Sequence, residues 1–288
     1  MVRIIERFDE VAGGYGTLYC DLWGCLHDGV RAFPDAVAAL GRFREGGGAV
    51  ILMTNSPRPR RDVMRQLAAL GVPREAYDRV ISSGDAAQEA MARGMFGRRV
   101  YHIGPERDLV FFRDENEQPI DVERVPLEEA ESIVCTGLFD DHTETPDDYR
   151  ATILYGVNKG LKLLCANPDI VVDVGEQRIY CAGAIAAAYT EAGGESFYFG
   201  KPHAPIYGMA RRWLDAEGRD DPILAVGDGI HTDVAGALGE DIDSLFITGG
   251  LAAEDTGTSP DAGPDPERLE AFLREARLTP TAAIAYLR

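Results

Sequence analysis

The chain has 288 residues, 45% of them hydrophobic, which suffices for one large domain or two modest ones that fold without metal or disulfide staples. Its formal net charge of -19, with no basic run, argues against nucleic acid and anionic membranes as partners and obliges any phosphorylated substrate to meet a local cation. Five cysteines with no CxxC pair argue against a disulfide framework and a zinc site; the charged start and the lack of a membrane-length apolar run point to a cytoplasmic protein.

The first predicted strand covers residues 17–22 and runs into a glycine turn, so Asp21 stands at its carboxyl end, where open α/β sheets bind ligands. Two residues on stands Trp23, where a partner acid would be useful. A helix is predicted over 35–45, then a strand over 49–54 that ends in Thr54, Asn55 and Ser56, a helix over 60–70 and a strand over 79–82. Between about residues 95 and 180 the texture changes: apolar runs at 99–103 and 132–136, an acidic loop at 140–148 and a helix over 147–158. The stretch 140–144 reads as a solvated loop, not a metal site.

After this block the first rhythm returns. A strand at 196–199 leads to Lys201, one of only three lysines, and a helix follows over 205–216. A strand at 223–226 leads to Asp228, and a helix over 231–237 contains Asp233. A strand at 244–248, a loop at 249–264 and an amphipathic helix over 265–276 complete the chain. Strands alternating with helices predict an α/β fold with a doubly wound parallel sheet, built from residues 1–92 and 182–288 and interrupted by an inserted α/β cap over 93–181.

Four strand ends thus carry groups suited to phosphate and a divalent ion. Hydroxyls and main-chain N–H groups around Thr54, Asn55 and Ser56 can hold phosphate oxygens, and Lys201 can neutralise them. Carboxylates at 21, 228 and 233 suit a hard, oxygen-seeking ion such as Mg2+. A carboxylate placed like Asp21 can attack phosphorus and form an aspartyl-phosphate, which splits one hard displacement into two easier ones. Each segment alone has a plain alternative: a strand-end turn, a helix cap at Asp233, a solvated lysine.

Taken together, Asp21-Leu-Trp-Gly-Cys-Leu-His-Asp-Gly29, Thr54-Asn-Ser56, Gly200-Lys-Pro202 and Gly227-Asp-Gly-Ile-His-Thr-Asp233 resemble the motifs of the haloacid dehalogenase superfamily, class IIA, whose cap is inserted between the second and third motifs. Ala166-Asn-Pro-Asp169 resembles the cap loop with which that class faces its active site, implying substrate contact by Asn167 and Asp169. The resemblance implies Asp21 as nucleophile and Mg2+ ligand, Thr54 and Lys201 as phosphate binders, Asp228 as a metal ligand, and Asp233 as a metal-site or neighbouring carboxylate. It also implies a metal contact from the backbone carbonyl of Trp23. The expected activity is hydrolysis of a small phosphorylated metabolite, by a monomer or a homodimer.

Trp23 departs from the family pattern, since phosphatases of the superfamily carry at that position an aspartate acting as general acid and base. Tryptophan has no proton to exchange, and general acid–base help is worth about 10²- to 10⁴-fold, so a slow enzyme is expected unless His27, Asp28 or His231 substitutes. Trp23 reads most simply as an aromatic wedge shaping the pocket. Two other readings stay open: a binding protein for phosphorylated ligands that has lost turnover, and a metal-independent dehalogenase, which the retained Asp228 and Asp233 disfavour.

Overall fold

The computed structural model describes residues 2–174 and 177–288. Along the chain run β1 (Arg3–Ile4), β2 (Thr17–Cys20), β3 (Ala49–Thr54), β4 (Arg79–Ser82), β5 (Arg99–Ile103), β6 (Glu123–Arg124) and β7 (Ser132–Cys135). The second half contributes β8 (Lys162–Cys165), β9 (Val171–Val174), β10 (Gln177–Tyr180), β11 (Glu195–Tyr198), β12 (Ile223–Gly227), β13 (Asp243–Ile247) and β14 (Ala282–Ile284). Seven strands form one sheet in the order β1-β14-β13-β12-β2-β3-β4, and five form a second in the order β11-β8-β7-β5-β6. Every pairing within these two sheets is parallel; β9 and β10 pair as an antiparallel ribbon.

Parallel strands covered on both faces must be apolar along their whole length, and β2 and β3 are buried at every residue. Alternate side chains feed two cores. Leu18, Val50 and Leu52 pack with Leu40 and Leu67 of the helices Pro34–Glu45 and Arg60–Ala69. Tyr19, Ile51 and Met53 pack on the other face with Tyr207 and Leu214 of the helix Ala204–Ala216. Each such side chain contributes roughly 1.5–3 kcal/mol by leaving water, so truncating Leu40 or Leu52 to Ala would cost about 2–5 kcal/mol.

The chain leaves β2 toward β3 on one side and returns through β12 on the other, so a crevice opens outside the carboxyl ends of β2 and β12, where open α/β sheets bind ligands. The register aligns Cys20 with Val226 and with Leu52, and the Asp21 N–H donates to the Val226 carbonyl at 2.8 Å. Asp21, Thr54 and Asp228 are thereby brought to one edge by three neighbouring strands.

The structure moves the expected boundary of the inserted unit. Residues 182–198 were expected in the first sheet's unit, yet β11 pairs with β8, and the helix Ala182–Glu191 packs Ile185, Ala186 and Tyr189 into the core of the second sheet. A strand's own sequence, here one that leads to Lys201 at the crevice, gives no hint of which sheet it joins. The helix expected over 231–237 begins as one wide π-turn, Ile230–Val234, before the α-helix Ala235–Gly239. The loop expected at 249–264 contains a short helix, Ala253–Thr256, and the final amphipathic helix runs over Pro266–Ala276, capped by Asp265.

Candidate active site

Lys201 follows β11 and lies 3% exposed in the crevice. Its Nζ donates to Asp21 Oδ1 and to Asp233 Oδ1, each at 2.6 Å. Burial opposes the charge on Lys201, but the two carboxylates outweigh it and hold the ammonium pKa well above its ordinary value. Removal from water raises the Asp21 carboxyl pKa, and the adjacent Lys201 works against that rise.

Asp228, at the end of β12, takes the Leu251 N–H on Oδ2 at 2.9 Å. Its pKa is driven well above the carboxylate range, first by burial and then by the charges of Asp21 and Asp233. The approach of this carboxylate dictates the turn beside it. Gly24 has φ +72, and a Cβ there would lie 2.1 Å from Asp228 Oδ2, so both the conformation and the space require glycine.

Asp21, Asp228 and Cys25 each offer one ligand atom within 4.8 Å of one another, the one such cluster among the described residues. Among the described residues, the cavity above them, about 200 Å³, is lined by six aspartates against a single cation, Lys201. Three of the six, Asp21, Asp228 and Asp233, are buried, and such a cluster calls for a counter-ion; Asp21 and Asp228, with Trp23 lining the same cavity, fit a hard divalent cation. Asp233, expected as a metal-site or neighbouring carboxylate, accepts from Lys201 on Oδ1 and from the Gly229 N–H on Oδ2 at 3.0 Å, so its carboxylate orients the lysine. The buried Cys25 thiol was not expected at the site; burial first, then Asp228 and Asp21, keep it protonated.

Thr54 and Ser56 line a second cavity of about 250 Å³ that shares Asp21, Trp23 and Asp169 with the first. The Thr54 hydroxyl accepts from the Ser56 N–H at 3.2 Å, and Ser56 Oγ accepts from the Arg58 N–H at 3.3 Å, which shapes the loop after β3. Asn55 lines the same cavity, and its side-chain amide is taken up by protein groups. Oδ1 accepts from the Lys201 N–H at 2.7 Å, and Nδ2 donates to the Lys201 carbonyl at 3.0 Å and to Asp169 Oδ1 at 2.8 Å. It ties the second motif, the lysine and the cap loop into one block. In that loop Asn167 Oδ1 accepts from the Asp169 N–H at 3.1 Å.

The three expected substitutes for the missing acid do not face the chemistry as acids. His27 is 1% exposed, its Nδ1 accepts from the Gly29 N–H at 3.1 Å, and burial pushes its pKa down to about 4. Despite partial burial, the Arg31 and Val30 N–H groups hold the Asp28 carboxyl below its ordinary value. His231 is exposed and borders neither cavity. Trp23 meets the His27 ring edge-on at 5.0 Å, leaves no room for a Cβ at Gly29, and borders both cavities.

Residues that carried no sequence signal complete the second cavity. Arg58 pairs with the buried Asp108 at 3.4 Å, Arg107 pairs with Asp141, and Thr136 lines the same cavity. Asp141 belongs to the stretch read as a solvated loop, yet its side chain is only 9% exposed and borders the cavity.

Comparison with known proteins gives this arrangement a family. Residues 18–116 match a model described as haloacid dehalogenase-like hydrolase, and residues 198–270 match a second, HAD-hydrolase-like model. A crystal structure of a haloacid dehalogenase-like family hydrolase from Brucella suis 1330 is 41% identical, with a TM-score of 0.85, over 99% of this chain and 100% of that one. The chain belongs to the haloacid dehalogenase-like hydrolases. This hydrolase also shares its fold with a possible sugar phosphatase from Cytophaga hutchinsonii, 18% identical with a TM-score of 0.79 over 99% of this chain and 98% of that one. A dihydroxyacetone phosphatase from Corynebacterium glutamicum (strain R) is 27% identical over 94 residues, which span 32% of the hydrolase and 34% of that relative. Among the described residues of the hydrolase, no helix is long and apolar enough to cross a membrane.

Proposed function

We propose that this hydrolase cleaves a small phosphomonoester through an aspartyl-phosphate on Asp21, with Mg2+ as cofactor. The observation that carries the reading is the convergence, from the ends of β2, β11 and β12, of Asp21, Lys201, Asp228 and Asp233 on one crevice, with Lys201 Nζ 2.6 Å from two of the carboxylates. Magnesium held by Asp21, Asp228 and the Trp23 carbonyl would cancel the repulsion between these carboxylates and a phosphate dianion.

The chain's own groups do the rest. Lys201 and the Thr54 hydroxyl neutralise oxygens of the transferring phosphoryl group, while Asp21 forms the bond to phosphorus. Asp233 keeps the ammonium aimed at Asp21, and Asn55 fixes the lysine's main chain. The alcohol half of the substrate lies in the 250 Å³ cavity, whose polar lining from both sheets suits a short hydroxylated skeleton. Its size and polarity agree with the names of the possible sugar phosphatase and the dihydroxyacetone phosphatase.

Phosphate release from a panel of sugar phosphates, nucleotides and phosphorylated acids, with and without Mg2+, tests the reading. Metal-dependent release that vanishes in Asp21→Asn supports it. Release that survives the substitution removes Asp21 from its role, and halide release without metal would put a dehalogenase in its place.

A further inference from the structure

Trp23 leaves the leaving-group oxygen and the attacking water without a proton partner at the place where the family keeps one. His27, Asp28 and His231 are each unsuited, by buried neutrality, by hydrogen bonds that favour the carboxylate, and by position. One further carboxyl borders both cavities without facing the ion-binding cluster. Asp169 sits on the loop between β8 and β9 and lies where the space above Asp21 meets the space for the alcohol half.

We infer that Asp169, delivered by the second sheet's unit, is the general acid and base of this hydrolase in place of the residue replaced by Trp23. Its Oδ1 is pinned by Asn55 Nδ2 at 2.8 Å, and its Oδ2 has no partner among the described residues, so one oxygen fixes the carboxyl while the other is free to carry a proton. Gly183 accommodates this loop: a Cβ there would stand 2.2 Å from the Pro168 carbonyl oxygen and 2.4 Å from that of Asp169. Desolvation, opposed by Asn55 and Lys201 and aided by Asp233, lifts the Asp169 pKa to about 6, which suits a group that must give and retake a proton near neutral pH. The hydrogen bond to Asn55 also couples the acid to the Lys201 main chain, so the proton donor and the phosphate-binding cation are set together.

The inference rests on the aspartyl-phosphate reading and adds the proton path to it. As an Asp21 oxygen bonds to phosphorus and the bond from phosphorus to the ester oxygen breaks, the Asp169 Oδ2 proton passes to that oxygen and the alcohol leaves. The Asp169 carboxylate then takes a proton from water while the water oxygen bonds to phosphorus and the bond to Asp21 breaks. Inorganic phosphate, the Asp21 carboxylate and protonated Asp169 are regenerated.

The test compares p-nitrophenyl phosphate, whose leaving group departs without a proton, with phenyl phosphate, whose leaving group needs one, in wild type and Asp169→Asn. The amide keeps an acceptor for Asn55. With phenyl phosphate the variant should lose about 10²- to 10³-fold in its first turnover. With p-nitrophenyl phosphate it should release a rapid burst of one nitrophenolate per active site and then stall, because hydrolysis of the phosphoenzyme lacks its base. Asp169→Glu should recover part of the steady rate, and Asp169→Ser should repeat the split if the amide disturbs the fold. An equal loss on both substrates with no burst would reduce Asp169 to a positioning residue and overturn the inference. Failure of the wild type to cleave either ester would overturn the phosphatase reading instead.

Discussion

The two parallel sheets of this hydrolase meet at one crevice but furnish it differently. The seven-stranded sheet presents carboxylates that are almost fully buried, Asp21, Asp228 and Asp233, each at most 8% exposed, and they meet the equally buried Lys201, which enters from the end of β11 in the other sheet. The five-stranded sheet contributes loops and a ribbon whose polar groups are more exposed, such as Arg107, His142 and Tyr180. Buried charges keep one geometry because every alternative leaves an unpaired ion out of water, whereas exposed pairs exchange partners with solvent at little cost. The proposed nucleophile and its neighbouring carboxylates therefore belong to the first sheet and the groups that would choose the substrate to the second, with Lys201 and Asp169 crossing over from the second sheet.

The sharpest way to break this division is Asp21→Asn, which should lower phosphomonoester turnover by roughly 10⁴-fold or more while thermal stability holds or rises, checked by phosphate release and calorimetry. Lys201→Met should be the most damaging single change to the first sheet's stability, about 3–5 kcal/mol in a urea melt, because Asp21 and Asp233 lose their shared buried partner. Unchanged stability would show that these carboxylates are not held by the lysine.

His27 sharpens the contrast through pH. Its folded pKa of about 4 lies below the ordinary histidine value of 6.5, so the stability from its neutral form is complete above 6.5 and is lost as pH falls toward 4. Wild type should therefore lose about 2 kcal/mol between pH 7 and pH 5 relative to His27→Asn, read as the difference between their denaturant midpoints at the two pH values. Equal pH slopes would refute the buried, neutral histidine. The smallest effect belongs to the second sheet: Arg107→Ala should change stability by less than about 1 kcal/mol, raise KM severalfold and leave kcat nearly unchanged, measured by steady-state kinetics and a melt. A fall in kcat comparable to that of the first-sheet variants would erase the distinction.

Much of the first sheet was legible before folding, because a strand buried on both faces must be apolar and its catalytic residue must sit where the apolar run stops. Asp21, Thr54 and Asp228 occupy such ends in the first sheet, and Lys201 occupies one after β11 of the second. The second sheet was less legible. The short strand β8, the ribbon β9–β10 and the helix Ala182–Glu191 lack polar terminal markers, and Arg58, Arg107 and Asp108 look like any surface charge in a chain rich in them.

Local chemistry along the chain thus determined the alternation of strands and helices, the acids and the lysine that end them, and the loss of a proton donor at Trp23, since each depends on near neighbours. Only the tertiary structure decided that β11 joins the second sheet, that Asp233 serves Lys201, and that Asn55 reaches Asp169 across 114 positions of sequence. Those outcomes depend on which distant groups share a buried volume, and the cost of leaving a charge or an amide unpaired there is settled by packing, which no single segment encodes.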